Sequence, residues 1–347
     1  MDSWITRLTR SARARTVRHP HPTHQGTAAR EGHGETRPRT GRASEDRARG
    51  GCDVRRRRER SPDGPHRHDR QEGCLDRPRD PLPTRVDLAP LLPHAYDDAL
   101  EAGLTALGLG LSSDARAAID GHVRLLLAWN EAVNLTAIRD PAEIAIRHVL
   151  DSLTGLRVLE ARRIRRVVDL GSGGGFPGLP FAVALGGTRV RLIESVAKKA
   201  RFLQAVVEAT GLAERVEVLP VRAESLAVDR VRTGRWDAVT ARAVASLADL
   251  VELAFPLLGP HACLVAWKSA SAVTGADSEL DAARRAIAAI DPAARIEVEP
   301  AVPPSTAGRG AVLAPLADHR LVVVTRGAGP VSGRWPRDPA ARRRSPW

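Results

Sequence analysis

The stretch RVVDLGSGGGFPG, residues 166–178, decides the fold of this chain. It begins with a short apolar run that is typical of a buried strand, and it continues directly into five glycines within eight residues. A glycine-rich turn between a strand and a helix lets a ligand approach the backbone and directs the N–H groups of that helix at the ligand. The stretch therefore predicts a binding site for an adenosine-type cofactor at the carboxyl end of the first strand.

Strand and helix patterns alternate after this turn. Strands are predicted at 166–170, 190–194, 216–221, 236–241, 262–267, 296–300 and 321–325, and helices at 177–185, 197–212, 247–258 and 280–290. This alternation predicts an α/β fold, a Rossmann-like, mostly parallel seven-stranded sheet with helices on both faces. No clear helix separates the last two strands, which predicts an antiparallel edge pair. Helices with N-caps at Ser113 and Asp140 are predicted before the sheet.

The charge distribution divides the chain into four parts. Residues 1–85 contain 21 Arg, no Lys and 12 acidic residues, whereas 86–325 contain 26 basic and 28 acidic residues. A segment with so many charged residues and so few apolar residues is predicted to be disordered. We therefore predict a disordered Arg/His/Pro-rich extension at 1–85, an N-terminal helical part at 86–160, a cofactor-binding core at 161–326 and a basic flexible tail at 327–347. Whether 1–85 is native or translated upstream sequence stays open.

Several kinds of protein are excluded by composition. The three cysteines, Cys52, Cys74 and Cys263, form neither a disulfide framework nor a zinc-binding pattern, so no metal is predicted. No secretory signal and no run of about 18 apolar residues is present, which predicts a cytoplasmic protein without a membrane span. The net charge of +12 favours a polyanionic partner.

Two cofactor classes fit the glycine turn. Gly173, Gly175 and Gly178 also match the dinucleotide fingerprint, so an NAD-dependent oxidoreductase remains an alternative. Glu194 ends the second strand, where a carboxylate accepts hydrogen bonds from ribose hydroxyls in either class. Asp169 lies two residues before the first glycine, where methyltransferases have an acid facing the methionine end of their cofactor. This acid favours S-adenosylmethionine.

Four segments then resemble one family. HVLDS at 148–152, DLGSGGGFPG at 169–178, KARFL at 199–203 and TARA at 240–243 follow one another as in the ribosomal RNA small subunit methyltransferase G family, also called glucose-inhibited division protein B. The resemblance covers about residues 90–326. It implies a class I methyltransferase fold, S-adenosyl-L-methionine as cofactor, and methylation of N7 of a guanine in the 530 loop of 16S ribosomal RNA, the guanine-527 equivalent. A methyltransferase of another RNA or of a small molecule is the remaining alternative.

The resemblance also implies roles for individual residues. Gly171 and Phe176 contact the cofactor from the glycine turn, and Ala223 and Glu224 hold its adenosine part. Arg242, after the fourth strand, orients the cofactor or the target; a structural ion pair with Asp169 or Glu194 is the alternative. The last strand carries His319 and Arg320 in the order opposite to that usual in the family, so this pair is given no role. His148 and Asp151, one helical turn apart, either line the cleft or form a packed helix cap, and neither is given a specific role.

The chemistry needs few catalytic groups. Guanine N7 carries a lone pair and no proton, so no general base is expected, and orientation alone contributes roughly 7–11 kcal/mol. Contacts with RNA are predicted for Lys198, Lys199, Arg201 and Lys268, with a solvated helix face as the alternative for the first three. The predicted partner is 16S ribosomal RNA or the small ribosomal subunit. The oligomeric state and the assembly state of the substrate stay open.

Overall fold

The computed structural model describes residues 81–227, 234–275, 278–306 and 310–347. The predictions made for residues 1–80, including the two N-terminal cysteines, lie outside these ranges. Residues 81–85 are described, and they pack on the fold: the carbonyl of Pro83 accepts a hydrogen bond from the Trp129 indole N–H at 2.7 Å. The last residues of the predicted disordered extension therefore contact α2, and Pro83 satisfies the buried indole N–H of Trp129.

Helices precede the sheet, as predicted. They are α1 (His94–Leu107), α2 (Ser113–Val133), α3 (Pro141–Ile144), a π-helical stretch (Ala145–Leu150), α4 (Asp151–Leu153) and α5 (Leu156–Ala161). The cap predicted at Asp140 is confirmed, since its carboxylate accepts the Glu143 N–H at 2.9 Å. The cap predicted at Ser113 is wrong by one residue: Ser112 accepts the Ala115 N–H at 3.2 Å.

A seven-stranded sheet forms the centre of the fold. Its strands are β1 (Arg166–Leu170), β2 (Arg189–Ile193), β3 (Val216–Leu219), β4 (Trp236–Arg242), β5 (Leu258–Ser269), β6 (Arg295–Pro300) and β7 (His319–Thr325). The order is β3-β2-β1-β4-β5-β7-β6. The pairs among β1 to β5 are parallel, whereas β7 is antiparallel to both β5 and β6. The predicted fold class and the antiparallel edge are confirmed.

The remaining helices cover the two faces of the sheet. They are α6 (Gly178–Ala184), α7 (Ala197–Ala209), α8 (Ala223–Ala227), α9 (Leu247–Ala254), α10 (Ala270–Val273), α11 (Glu279–Ile290) and α12 (Pro339–Arg344). One apolar cluster joins α1, α2, α6 and α7 to one face, and a second joins α9 and α11 to the other. Burying both faces explains why the interiors of β1 and β4 are mostly apolar. Among the described residues, no helix is long and apolar enough to cross a membrane.

The C-terminal segment differs from the predicted flexible tail. Trp335 is buried against the second apolar cluster, and its ring lies 5.4 Å from that of Trp347. The carboxylate of Glu252 on α9 is fully buried and accepts hydrogen bonds from Arg337, at 2.8 Å from Nη2, and from the Trp347 indole at 2.8 Å. A buried carboxylate requires such partners. The segment is therefore held by tryptophan burial and a buried ion pair, which its Arg-rich composition did not indicate.

Candidate functional site

The glycine turn lies between β1 and α6, at the carboxyl edge of the sheet. The turn follows β1, and the strand order reverses between β1 and its neighbour β4, which is the switch point where open parallel sheets bind their ligands. Gly173 has a φ of +54° and donates its N–H to Glu194 at 3.0 Å. A Cβ at this position would point into open space, its nearest neighbour being 3.7 Å away. The turn is thus a cradle that a side chain at Gly173 would partly fill.

A histidine that sequence reasoning missed supports the turn from below. The His122 Nε2 lies 2.7 Å from the Gly174 carbonyl oxygen, and its ring stacks on Phe176 at 4.6 Å. Burial lowers the pKa of His122 to about 4, so the ring is neutral at pH 7 and its Nε2–H donates to Gly174. His122 lies on the apolar face of α2, where a sequence alone indicates only a core position.

A cavity of about 670 Å³ opens beside the turn. Its walls come from the turn, the loop after α2, the π-helical stretch and the carboxyl ends of β4 and β5. Of the predicted site residues, it is lined by Gly171, Gly173, Phe176, Glu194, Lys199, Arg242 and Lys268. Asp169, Gly175, Lys198 and Arg201 do not line it. The structure thus brings together the predicted cofactor residues of the turn, β2 and β4.

Arg242 is held in this cavity by a buried carboxylate. Its Nη1 donates to Asp151 Oδ2 at 2.9 Å and to the Arg147 carbonyl at 3.0 Å, and its guanidinium lies 5.4 Å from the Phe176 ring centre. The Asp151 side chain is 1% exposed, and its other oxygen accepts the His319 Nδ1–H at 2.8 Å. This hydrogen bond raises the pKa of His319. Asp151 therefore fixes two basic side chains at once.

His148 completes this wall. Its ring stacks on Phe176 at 4.9 Å, and its Nε2 lies 2.7 Å from the Thr136 hydroxyl. Burial, followed by the charge of Arg242, lowers the pKa of His148 to about 4. Because His148 belongs to a π-helical stretch, its position relative to Asp151 is not that of an ordinary helix, and such stretches frequently occur at functional sites. His148, Asp151 and His319 thus come together although sequence reasoning assigned them no role.

Glu194 closes the cradle from β2. Its side chain is buried, and its two oxygens accept the N–H groups of Gly173 at 3.0 Å and Val196 at 2.7 Å. Each carboxylate oxygen can accept a second hydrogen bond. Glu194 can therefore hold the turn and receive a pair of ligand hydroxyls together.

Asp169 lies under the turn and not in the cavity. Its side chain is fully buried, Oδ1 accepts the Thr240 hydroxyl at 2.7 Å, and Oδ2 lies 2.9 Å from where a Cβ at Gly178 would be. Burial raises the pKa of Asp169 to about 6. The glycine at 178 permits this close approach of helix and strand. The structure thus gives Asp169 contacts with β4 and α6, and an effect on a ligand would pass through the turn.

A second cavity, of about 710 Å³, lies on the other side of Gly171. It is lined by the loops that follow β2, β3 and β4, including Ala223 and Glu224, and also by residues of the C-terminal segment. The two cavities meet at Gly171, which lines both. The two neighbouring cavities are together called the cleft.

The four basic residues that were predicted to contact RNA differ in position and in availability. Lys198 and Arg201 are exposed and line neither cavity of the cleft; they lie around a separate depression with Leu82 and Trp129. Lys199 lines the first cavity. Lys268 is not available in the same way, because its Nζ is paired with Glu279 at 2.7 Å and donates to the Ala245 carbonyl at 2.8 Å. Contact of Lys268 with a phosphate would require it to leave Glu279, a carboxylate that sequence reasoning did not single out.

The cleft fits S-adenosylmethionine by its own donors, acceptors and shape. The buried Glu194 carboxylate retains lone pairs for ribose hydroxyls, and the glycine cradle exposes backbone close to the cavity. Cys263 is buried in β5, and burial raises its pKa to about 11, so it is not a nucleophile at neutral pH. In the described part of the chain, no group of three or more His, Cys, Asp or Glu is arranged to hold a metal ion.

Several proteins named ribosomal RNA small subunit methyltransferase G are similar to this chain in sequence. A protein named ribosomal RNA small subunit methyltransferase G from Leptothrix cholodnii is 40% identical over 174 residues, 49% of this chain and 77% of the relative. One from Sorangium cellulosum is 43% identical over 181 residues, 52% of this chain and 72% of the relative. One from Pelotomaculum thermopropionicum is 30% identical over 249 residues, 72% of this chain and 98% of the relative.

Solved structures are less similar. An O-methyltransferase from Bacillus cereus in complex with SAH is 19% identical, with a TM-score of 0.43 over 60% of this chain and 91% of that chain. Because this TM-score is below 0.5, the family of this chain is established by the sequence matches alone. The family model described as rRNA small subunit methyltransferase G matches residues 116–289, a range that contains the glycine turn, Glu194, Glu224 and Arg242. This chain belongs to the rRNA small subunit methyltransferase G family.

Proposed function

We propose that this protein transfers the methyl group of S-adenosylmethionine to N7 of a guanine in the 530 loop of 16S ribosomal RNA. One observation carries the proposal: the family match contains Gly171, which lines both cavities, together with Glu224 from the second cavity and Arg242 from the first. The names of the relatives supply the substrate class, small-subunit ribosomal RNA. The N7 position follows from the family resemblance and from the chemistry of the cleft.

Each part of the cleft has a task in this proposal. Glu194 and Glu224 receive the adenosine part, and the cradle around Gly173 receives the methionine part beside Arg242. The cofactor supplies an activated methyl group together with its own leaving group. Asp169 and His122 act on binding indirectly, because both hold the turn and neither lies in the first cavity.

Guanine N7 suits a cleft without a general base. N7 has a lone pair in the ring plane and loses no proton, so the protein has only to align the nitrogen with the methyl carbon. The two histidines nearest Arg242 are already engaged, His148 with Thr136 and His319 with Asp151. The first cavity is open to solvent on one side, so water is excluded from the methyl group only when the target base covers that side.

The RNA approaches the open side of the first cavity in this proposal. Lys199 lines this cavity, and the exposed Lys198 and Arg201 of the same helix, α7, add positive charge for the phosphates. Phosphate contacts of this kind make affinity depend on salt. Because ribosomal RNA is the substrate, we infer a cytoplasmic location for the protein.

The test combines a cellular and a purified assay. 16S ribosomal RNA from cells with and without the gene is digested and mapped for N7-methylguanine by mass spectrometry. The purified protein is titrated with S-adenosylmethionine and with NAD in a thermal-shift assay, where about 2.7 kcal/mol of stabilisation is expected at a hundred times the dissociation constant of the true cofactor. Unchanged 16S methylation in cells lacking the gene, or stabilisation by NAD alone, would overturn the proposal.

A further inference from the structure

The C-terminal segment, defined here as residues 334–347, lies against the part of the cleft that is assigned to adenosine. Pro339, Arg342, Pro346 and Trp347 line the second cavity together with Ala223. The family match ends at residue 289, so it does not cover this segment. The cavity therefore has one wall that the family assignment does not explain.

Arg342 joins the segment to the cofactor loop. Its guanidinium forms an ion pair with Glu224, and its Nη1 lies 3.8 Å from Asp249 Oδ1 on α9. The Arg342 side chain is only 11% exposed, and its Nε is buried without a hydrogen-bond partner among the described residues. Because this Nε is closed off from solvent, it does not face the cavity, and Arg342 acts on the cavity through its ion pair with Glu224.

Two anchors hold the segment in place. Arg337 and Trp347 both donate to the buried Glu252, and the guanidinium of Arg337 stacks over the Trp347 ring at 4.3 Å. Asp338 caps α12 by accepting the Ala340 N–H at 2.8 Å. These contacts fix the direction in which α12 presents Arg342, one turn further along.

We propose that residues 334–347 are a cofactor-binding element that covers the adenosine end of the cleft. Arg342 holds Glu224 in position beside the purine. Pro339, Pro346 and Trp347 supply an apolar wall against the purine face. The inference rests on the proposed function, since it assumes that the cleft takes S-adenosylmethionine.

The C-terminal segment borders the second cavity without filling it. A space of about 710 Å³ remains between it and the loops after β2, β3 and β4. Cofactor sites typically occupy about 300–1,000 Å³. Covering a purine without filling its place is expected to slow cofactor release and increase affinity.

The test compares two arginines of α12. Arg342→Ala removes the contact with Glu224, whereas Arg344→Ala removes an exposed arginine of the same helix that lines neither cavity. Dissociation constants are measured by calorimetry for S-adenosylmethionine and for 5′-methylthioadenosine, which lacks the amino-acid end. We expect R342A to weaken both ligands by roughly five- to tenfold, as for loss of a charge-assisted contact, and R344A to leave both within about twofold.

A variant ending at Val331 removes the whole segment and is expected to weaken binding further. Because it uncovers apolar surface, its folding is checked by circular dichroism, and R342A remains the decisive variant if the truncated protein does not fold. Equal or tighter binding by R342A would overturn the inference, as would an effect on S-adenosylmethionine without one on methylthioadenosine. Failure of the unaltered protein to bind S-adenosylmethionine would instead remove the proposed function, so the two failures are distinguishable.

Discussion

Asp151 and Arg242 form a buried ion pair that joins the helical part to the sheet. The pair links Nη1 to Oδ2 at 2.9 Å between residues 91 positions apart, and the side chains of Arg242 and Asp151 are 15% and 1% exposed. The same carboxylate holds His319 from β7. One buried charge thus determines where three parts of the chain meet at the cleft.

Replacing Asp151 with Asn should destabilise the protein and impair methyl transfer. The substitution keeps the shape but leaves Arg242 without its counter-charge, and removal of one partner of a buried pair costs about 3 kcal/mol. Urea denaturation measures the loss. Asp281→Asn is the control, because the exposed Asp281–Arg284 pair should contribute roughly 0–1 kcal/mol. Equal losses in the two variants would contradict the importance of the buried pair.

The contribution of His319 to stability should depend on pH. Its pKa is raised above the ordinary 6.5, first by the hydrogen bond to Asp151 and then by the Asp151 charge, against burial and the charges of Arg242 and Arg147. A raised pKa means that its stabilisation is fully present below pH 6.5 and is lost as pH rises through the folded value. His319→Gln should therefore cost more free energy of unfolding at about pH 6 than at about pH 9.

The Asp151→Asn background provides the control for this pH effect. There, the cost of the His319→Gln substitution should become nearly independent of pH, because the hydrogen bond that raises the pKa is gone. A cost that grows with rising pH in the unaltered background would refute the prediction.

His122 should make the protein sensitive to acid. Burial lowers its pKa from 6.5 to about 4. As pH falls from about 6.5 to about 4, His122 therefore becomes protonated in the unfolded chain but stays neutral in the folded chain, and this difference favours unfolding. At about 1.36 kcal/mol per pKa unit, about 3 kcal/mol of stability is lost over this range. His122→Phe should lose less stability between about pH 7 and pH 5, as followed by urea denaturation.

The same variant should also weaken cofactor binding. A phenyl ring at position 122 can keep the stacking on Phe176 but leaves the Gly174 carbonyl without its donor, at a cost of roughly 1–3 kcal/mol, and the cradle loses its support. Calorimetry with S-adenosylmethionine measures the effect at neutral pH, where His122 is uncharged. Unaltered affinity would show that His122 does not position the turn.

Gly173→Ala should reduce cofactor affinity by more than backbone strain explains. Its φ of +54° costs a residue with a Cβ roughly 1–2 kcal/mol, and the new methyl group projects towards the cavity. Gly108→Ala is the matched control, since Gly108 has a φ of +68° with nothing within 4 Å of the added Cβ and lines neither cavity. We expect both variants to lose a similar amount of folding stability. Only Gly173→Ala should also lose S-adenosylmethionine binding. Retained binding by G173A would contradict the cradle.

Sequence reasoning predicted the fold but only part of the site. Alternating strands and helices, with apolar strands buried on both faces, predicted the sheet and its antiparallel edge. Boundaries were less accurate: β5 extends over Leu258–Ser269 because its ends pair with β4 and β7, and pairing partners cannot be read from one strand alone. The role of His122 was not predicted, since it lies on a helix face that sequence patterns indicate simply as buried. Asp151 was expected to line the cleft or to pack in a helix cap, and its pairing with Arg242 was not predicted.

Local sequence by itself determined the glycine turn, the acid at Glu194 and the family, because backbone freedom and strand-end chemistry depend on neighbours along the chain. Only the tertiary structure decided that Arg242 pairs with Asp151, that Asp169 lies beneath the turn, and that the C-terminal arginines face Glu252 and Glu224. Which buried charged side chains pair with each other depends on which of them lie close together in space. That proximity arises only when the helices and the C-terminal segment have packed on the sheet.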